Sequence, residues 1–113
     1  MKYRLTKNFI IQNGKKLYQI QSLKNFSDVK VGELGGYIES EKNLAQEGDC
    51  WILDEAKVYG NAKVFRNARI SGYAIVSGNA RISGEAIVSG YAIVSGEAKV
   101  LGDGNVCGNL LII

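Results

Sequence analysis

The chain of 113 residues is long enough for one domain, and its 46% hydrophobic and 22% charged residues exclude a disordered chain. No apolar run approaches the roughly 20 residues of a membrane-spanning helix, and Met1 leads into a charged segment rather than an apolar signal peptide, so we expect a cytoplasmic protein. The net charge of +3 is uneven, because residues 1–42 carry eight Lys/Arg against four Asp/Glu and residues 43–113 carry six against seven. The N-terminal excess suits either a solvated surface or an anionic partner.

The N-terminal segment predicts a β-hairpin. Residues 3–12, YRLTKNFIIQ, and residues 16–23, KLYQIQSL, alternate between apolar and polar side chains. Asn13 and Gly14 between them form the residue pair that favours a type I′ turn. Further along, Gly35 and Gly36 predict a second turn.

From Ala56 onward the sequence repeats every six residues. In register it reads AKVYGN AKVFRN ARISGY AIVSGN ARISGE AIVSGY AIVSGE AKVLGD GNVCGN, followed by LLII. The first position is Ala in eight of nine hexads, the third is Val or Ile in all nine, and the fifth is Gly in eight, with Arg66 the exception. An extended segment turns its first and third positions to one side, and Gly permits the positive φ of a corner. The repeat therefore predicts stacked coils over residues 50–113, a β-solenoid.

These hexads resemble those of left-handed parallel β-helices, the class that includes hexapeptide-repeat acyltransferases and gamma-type carbonic anhydrases. The resemblance is carried by an aliphatic residue with a small residue four positions on, as in Val58 with Ala62 and Val64 with Ala68. It implies an all-β fold, a left-handed parallel β-helix of triangular coils in which residues eighteen apart stack with a rise of about 4.8 Å.

A narrower resemblance covers residues 25–62, with the strings DVKVGELGGY and QEGDCW. This segment is similar to the N-terminal region of an enterobacterial hexapeptide-repeat family named for acyltransferase activity, and to short phage and prophage proteins. A solenoid end exposes unpaired strand edges, so we expect residues 1–49 to form an N-terminal β cap, with Trp51 and Tyr37 packed at the junction.

Stacking at eighteen residues predicts three outward columns. The first contains Trp51, Arg69, Ile87 and Asn105, with Tyr73 against Tyr91 at a corner; the second contains Lys57, Ile75 and Ile93; the third contains Lys63, Arg81 and Lys99, with Asn67, Glu85 and Asp103 at its corners. Scattered exposed isoleucines are common, but stacked ones favour an interface, so we expect a homo-oligomer, a dimer or trimer, through Ile75, Ile87 and Ile93. Cys50 and Cys107, three coils apart, should be free thiols.

The cation column predicts that the assembled protein binds a small anionic ligand, a nucleotide, whose phosphates pair with cations and whose base stacks on tyrosine. The expected ligand-binding residues are Lys63, Arg66, Arg69, Tyr73, Arg81, Tyr91 and Lys99. In the other interpretation the column binds no ligand, and the acids at the corners screen its charge on a solvated face. The resemblance to phage proteins implies a phage accessory protein that sequesters such a ligand; neither a membrane nor a nucleic acid is an expected partner.

Two other functions stay open: an acyltransferase-like enzyme and a purely structural or protein-interaction module. The resemblance implies a histidine base in the acyltransferases and three zinc-binding histidines in the carbonic anhydrases, whereas this chain contains no histidine. Glu85, Glu97 and Asp103 could in principle serve as a substitute base. We therefore expect no catalytic residue, no metal and no cofactor.

Overall fold

A computed structural model describes residues 1–113, beginning with the predicted hairpin. Strands β1 (Tyr3–Gln12) and β2 (Lys15–Ser22) pair antiparallel, and β3 (Leu34–Ile38) pairs antiparallel with β2. Asn13 and Gly14 have φ of +54° and +78°, the left-handed backbone that both central residues of a type I′ turn require. The hairpin prediction is confirmed.

After a 3₁₀ turn at Glu41–Asn43, eleven two-residue strands form the three sides of the coils. The first side contains β4 (Trp51–Ile52), β7 (Arg69–Ile70), β10 (Ile87–Val88) and β13 (Asn105–Val106). The second contains β5 (Lys57–Val58), β8 (Ile75–Val76), β11 (Ile93–Val94) and β14 (Leu111–Ile112), and its sheet continues through β3 to β2 and β1. The third contains β6 (Lys63–Val64), β9 (Arg81–Ile82) and β12 (Lys99–Val100).

Every short strand pairs in parallel with the strand eighteen residues away, so the predicted β-solenoid is confirmed. On the second side Lys57 pairs with Ile75 and Ile75 with Ile93. The hexads' first and third positions supply most of the buried core, and the second positions point away from it in the three predicted columns. Trp51, at the start of the first column, is the exception to exposure because the cap covers it. Left-handed winding stays a prediction from the hexad resemblance.

The corners depend on the fifth position of the hexads. From Asp54 to Gly108 these residues have φ between +57° and +71°. Side chains in this region clash with their own backbone, at a cost of about 1–2 kcal/mol, which explains the recurrent glycine. Arg66, at +60°, occupies this conformation without being glycine.

The cap closes one end of the core. Trp51 is fully buried, with its ring edge-on to Phe26 at 5.3 Å and to Tyr3 at 6.3 Å between centroids. The stack of parallel bridges begins before residue 50, because β3 pairs in parallel with β5 and Leu44 bridges Val64. The predicted packing of Trp51 at the junction is confirmed.

The predicted turn at Gly35 and Gly36 is wrong, since both residues lie inside β3 and are buried. The reason for glycine there is close approach rather than chain reversal. A Cβ on Gly35 would lie 2.5 Å from the carbonyl oxygen of Ile52, so only glycine lets the cap strand pack against the first coil.

At the other end, residues 110–113 continue the coil instead of folding over it, with β14 paired to β11. Both cysteines are free, as predicted, Cys50 in the core and Cys107 on the surface. The fold has no helix with the length and apolar character that crossing a bilayer demands.

Candidate anion-binding groove

A groove of about 530 Å³ runs along the third side, between its outward column and the corner that precedes it. All of its lining residues are polar: Lys42, Asn61, Lys63, Asn79, Arg81, Glu97 and Lys99. Four of the seven are cations and one is an acid, so the groove is basic.

The repeat itself aligns three of these cations. Lys63, Arg81 and Lys99 are the outward residues of β6, β9 and β12, and parallel pairing places them in register. Adjacent members are therefore separated by about the strand spacing of 4.8 Å. Repulsion between such neighbours would be relieved by a bound anion.

The cap contributes the fourth cation. Lys42 lies in the 3₁₀ turn, and its Nζ donates a hydrogen bond to Asn61 Oδ1 at 3.1 Å. The adjacent Asn43 is buried and holds this turn against the first coils through bonds to the carbonyl oxygens of Gly60 and Ala62. The groove is thus built jointly by the cap and the solenoid.

The acids at the corners bond to asparagines. Asn79 Nδ2 donates to Glu97 Oε2 at 2.6 Å, and Asn67 Nδ2 donates to Glu85 Oε2 at the same distance. The ion pairs of the chain lie elsewhere, between Lys15 and Glu39 and between Arg69 and Asp28. None of the groove cations has a carboxylate oxygen within 4.0 Å, which leaves their charge for an external anion.

Two depressions are lined in common by Ala45 and by Phe65, the outward fourth residue of the same hexad as Lys63. The first, of about 220 Å³, is lined by Lys42, Ala45, Lys63, Val64, Phe65 and Arg81, and so shares three cations with the groove. The second, of about 270 Å³, is lined by Ala45, Glu47, Gly48, Phe65 and Arg66. Phe65 thus separates two apolar-walled spaces beside the cation column.

The seven predicted ligand-binding residues fall into four places, one of which is the corner of Tyr73 and Tyr91. Lys63, Arg81 and Lys99 line the groove, and Arg66 lies at the adjoining corner. Arg69 lies on the first side, where its guanidinium bonds to Asp28 Oδ1 at 2.8 Å. The pKa of Asp28 is lowered by this hydrogen bond and by the arginine's charge.

The tyrosine pair forms as predicted but lies away from the cations. The rings of Tyr73 and Tyr91 stack with centroids 5.1 Å apart and an interplanar angle of 7°. Their corner joins the first and second sides, whereas the cation column lies on the third. Within one chain, therefore, the structure does not bring the tyrosines together with the column.

The tyrosines lie instead among outward aliphatic residues. Their corner separates Ile87 of the first side from Ile75 and Ile93 of the second, and Tyr91, Ile87 and Ile93 expose 62%, 43% and 40% of their surface. We call the residues Tyr73, Ile75, Ile87, Tyr91 and Ile93 the isoleucine–tyrosine face. It has the apolar, aromatic character of a protein interface.

Sequence reasoning missed the role of five residues, four that line the groove and Phe65 in the depression beside it. Three of them, Asn61, Asn79 and Glu97, end the hexads that come directly before those of the column. The third side is bordered by a corner at each end, and the prediction included only the corner that follows the column. Alternation likewise turns Phe65 to the same face as Lys63. Lys42 lies outside the repeat, so the spacing carries no signal for it.

The remaining pKa shifts lie at the cap junction. Burial lowers the pKa of the Lys2 amine, and the sulfur of Cys50, 3.3 Å away, partly offsets this. Burial also raises the pKa of Cys50 and of Tyr3. These groups are enclosed in the core and belong to its packing rather than to the groove.

No protein-family model matches the chain. A stretch of 39 residues, 34% of the chain, is 51% identical to a protein of Escherichia coli (strain K12) named "Uncharacterized acetyltransferase YdcK", and it spans 12% of that protein's length. Together with the parallel stacked coils, this likeness supports the hexapeptide-repeat β-helix resemblance that the hexads suggested.

Proposed function

We propose that this chain is a non-catalytic, homo-oligomeric β-solenoid that binds a small phosphate-bearing anion, a nucleotide, in the groove of the third side. The observation that carries the proposal is the column of Lys63, Arg81 and Lys99, in register and free of carboxylate partners. Lys42 extends the same positive surface from the cap.

The groove has the dimensions and chemistry that such a ligand needs. Its volume of about 530 Å³ lies within the usual range for small-molecule sites. Lysine and arginine donate charge-assisted hydrogen bonds to phosphate oxygens, and the arginine fork can bind two oxygens at once. Asn61 adds a neutral side chain at the rim.

Self-association and the phage role belong to the same proposal. The isoleucine–tyrosine face supports a dimer or trimer, because pairing removes its apolar surface from water. Sequestration of a nucleotide by a phage accessory protein rests on the sequence resemblance to phage proteins, and it requires binding without turnover.

Calorimetry with orthophosphate, inorganic triphosphate and mono-, di-, tri- and cyclic nucleotides tests the proposal. We expect at least one nucleotide to bind at micromolar concentration, and Arg81→Ala to weaken it roughly tenfold or more, since a charged hydrogen bond contributes about 1.5–3 kcal/mol. Lys57→Ala is the matched control, because Lys57 occupies the same hexad position on the second side.

Two outcomes of the calorimetry would contradict the proposal. Absence of binding across the panel, or binding that Arg81→Ala leaves unchanged, would reject the groove and favour the structural or protein-interaction module. Raising the salt concentration should weaken binding, because screening reduces the attraction between exposed charges.

Acetyl transfer is the second candidate, favoured by the name of the Escherichia coli relative. The corner acids are its available bases, but Glu85 and Glu97 each accept a hydrogen bond from asparagine and lie exposed. Turnover of acetyl-coenzyme A that depends on Glu97 would establish this candidate in place of the binding protein.

A further inference from the structure

Resting on the proposed function, we infer that the depression beside Phe65 is a nucleobase subsite, so that the ligand of the groove is a nucleoside polyphosphate rather than an inorganic anion. Its phosphates would lie along the column of Lys63 and Arg81, and its base would stack on the Phe65 ring. The observation behind this is that one apolar depression shares its cations with the phosphate groove.

Continuity between the two spaces is the first argument. Lys42, Lys63 and Arg81 line both the groove and the depression at Phe65, so a phosphate bound by them is in contact with both. The depression adds Ala45 and Phe65, an apolar and aromatic surface of the kind that a planar base prefers and a bare phosphate does not need. Its third apolar residue, Val64, is buried in the core.

Phe65 is the one aromatic residue among the fourth positions of its corner. Fourth positions on this corner are Phe65, Ser83 and Leu101 in successive coils, and Phe65 is half-buried rather than enclosed in the core. Part of its surface is therefore accessible at the edge of the cation column. Stacking on such a ring is tolerant of base identity, because every base has a π-face.

Arg66 supplies an independent argument. It is the one fifth-position residue of the nine full hexads that is not glycine, and it keeps φ at +60°. Its guanidinium lies 6.0 Å from the centroid of the Phe65 ring, and Arg66 lines the second depression. A strained residue at a binding surface is typical of a functional site, and a guanidinium can stack on a base as well as pair with phosphate.

The stacked tyrosines are the competing aromatic platform. Tyr73 and Tyr91 already contact one another, and they lie on a corner that does not border the cation side. They would reach the column only from a neighbouring protomer. Phe65 needs no second chain, and the two platforms therefore predict different mutational effects.

The experiment compares a nucleoside triphosphate with inorganic triphosphate, which carries the same phosphate chain without the base. In the parent protein we expect the nucleoside triphosphate to bind roughly 5- to 100-fold more tightly. Phe65→Leu should abolish this preference and leave inorganic triphosphate binding within twofold. Phe9→Leu, at an exposed aromatic position of β1 outside the groove and the isoleucine–tyrosine face, is the matched control and should preserve the preference. Tyr91→Leu tests the competing tyrosine platform.

Phe65→Trp provides a test that does not depend on the leucine variant. The indole should retain the base preference, and its fluorescence should be quenched by the nucleoside triphosphate but not by inorganic triphosphate. Trp51 is buried in the core and supplies an unchanging background.

Each outcome decides the inference. Equal affinity for the two probes in the parent, or a base preference that survives Phe65→Leu, overturns the Phe65 subsite while the anion groove stands. Loss of the preference in Tyr91→Leu instead assigns the base to the tyrosines. Failure of both probes to bind overturns the subsite and the proposed function together.

Discussion

The side-chain amide of Asn43 donates to the carbonyl oxygen of Ala62 at 2.8 Å, joining the cap to the first coil in the core. The same nitrogen donates to Gly60, and the amide oxygen accepts from the backbone of Glu39 and Ser40. All the polar atoms of this buried side chain are therefore paired. Because Lys42 is its neighbour, Asn43 also determines where one cation of the groove lies.

Asn43→Ala should destabilise the protein by about 3 kcal/mol, since it leaves buried backbone groups without partners. Asn109→Ala, at an exposed position, should change the free energy of unfolding by less than about 0.5 kcal/mol. Denaturant titration of both variants measures the difference. Similar values for the two would show that the bonds to Gly60 and Ala62 contribute little.

Substitutions at two glycines distinguish the cost of backbone strain from the cost of steric crowding between coils. Gly102, with φ of +61°, has open space where a Cβ would stand, whereas a Cβ on Gly78, with φ of +66°, would lie 2.7 Å from the nitrogen of Gly96. Gly102→Ala should cost about 1 kcal/mol, and Gly78→Ala about 2 kcal/mol more. Thermal unfolding of the two proteins checks the order, and equal costs would contradict it.

Arg66→Gly should stabilise the fold by about 1 kcal/mol, because glycine adopts the positive φ of this corner without strain. The measurement is the free energy of unfolding in urea. Asp54→Gly is the control: its carboxylate accepts a bond from the Gly72 nitrogen at 3.0 Å, so this replacement gains less. Destabilisation by Arg66→Gly would refute the strain argument.

Stability should fall as the pH rises above about 10. Burial raises the pKa of Tyr3 from its ordinary value of 10.0, so the unfolded state loses this proton first and is favoured in alkali. Cys50, raised from 9.0, acts in the same direction, whereas Lys2, lowered from 10.5, opposes it.

The melting temperature of Tyr3→Phe should therefore decline less between pH 9 and 11 than that of the parent. Phenylalanine retains the ring that packs on Trp51 but cannot ionise. Parallel curves for the two proteins would exclude Tyr3 as the cause.

Self-association should depend on the isoleucine–tyrosine face. Ile75→Lys combined with Ile93→Lys places two charges on it and should give a folded protein of smaller mass by light scattering. Ile11→Lys, at an exposed position of β1, should leave the mass unchanged. A parent that is already monomeric at micromolar concentration contradicts the interface.

Much of the fold follows from the sequence because the residues of each hexad determine its local structure. Ala and Val or Ile at alternating positions determine which side is buried, and glycine at the fifth position determines the corner. Repetition then aligns residues eighteen apart, so the column of Lys63, Arg81 and Lys99, the tyrosine stack and the free cysteines were all predictable from spacing alone.

Only the tertiary structure determined the conformation and contacts of the residues outside the repeat. Gly35 and Gly36 resemble a turn locally, but packing against Ile52 requires them in a strand. Lys42 reaches the groove only because Asn43 holds the cap against the first coil. The corner acids Glu85 and Glu97 bond to asparagines instead of the cations. The repeat period does not determine this choice of partner, because it depends on side-chain geometry around the corner.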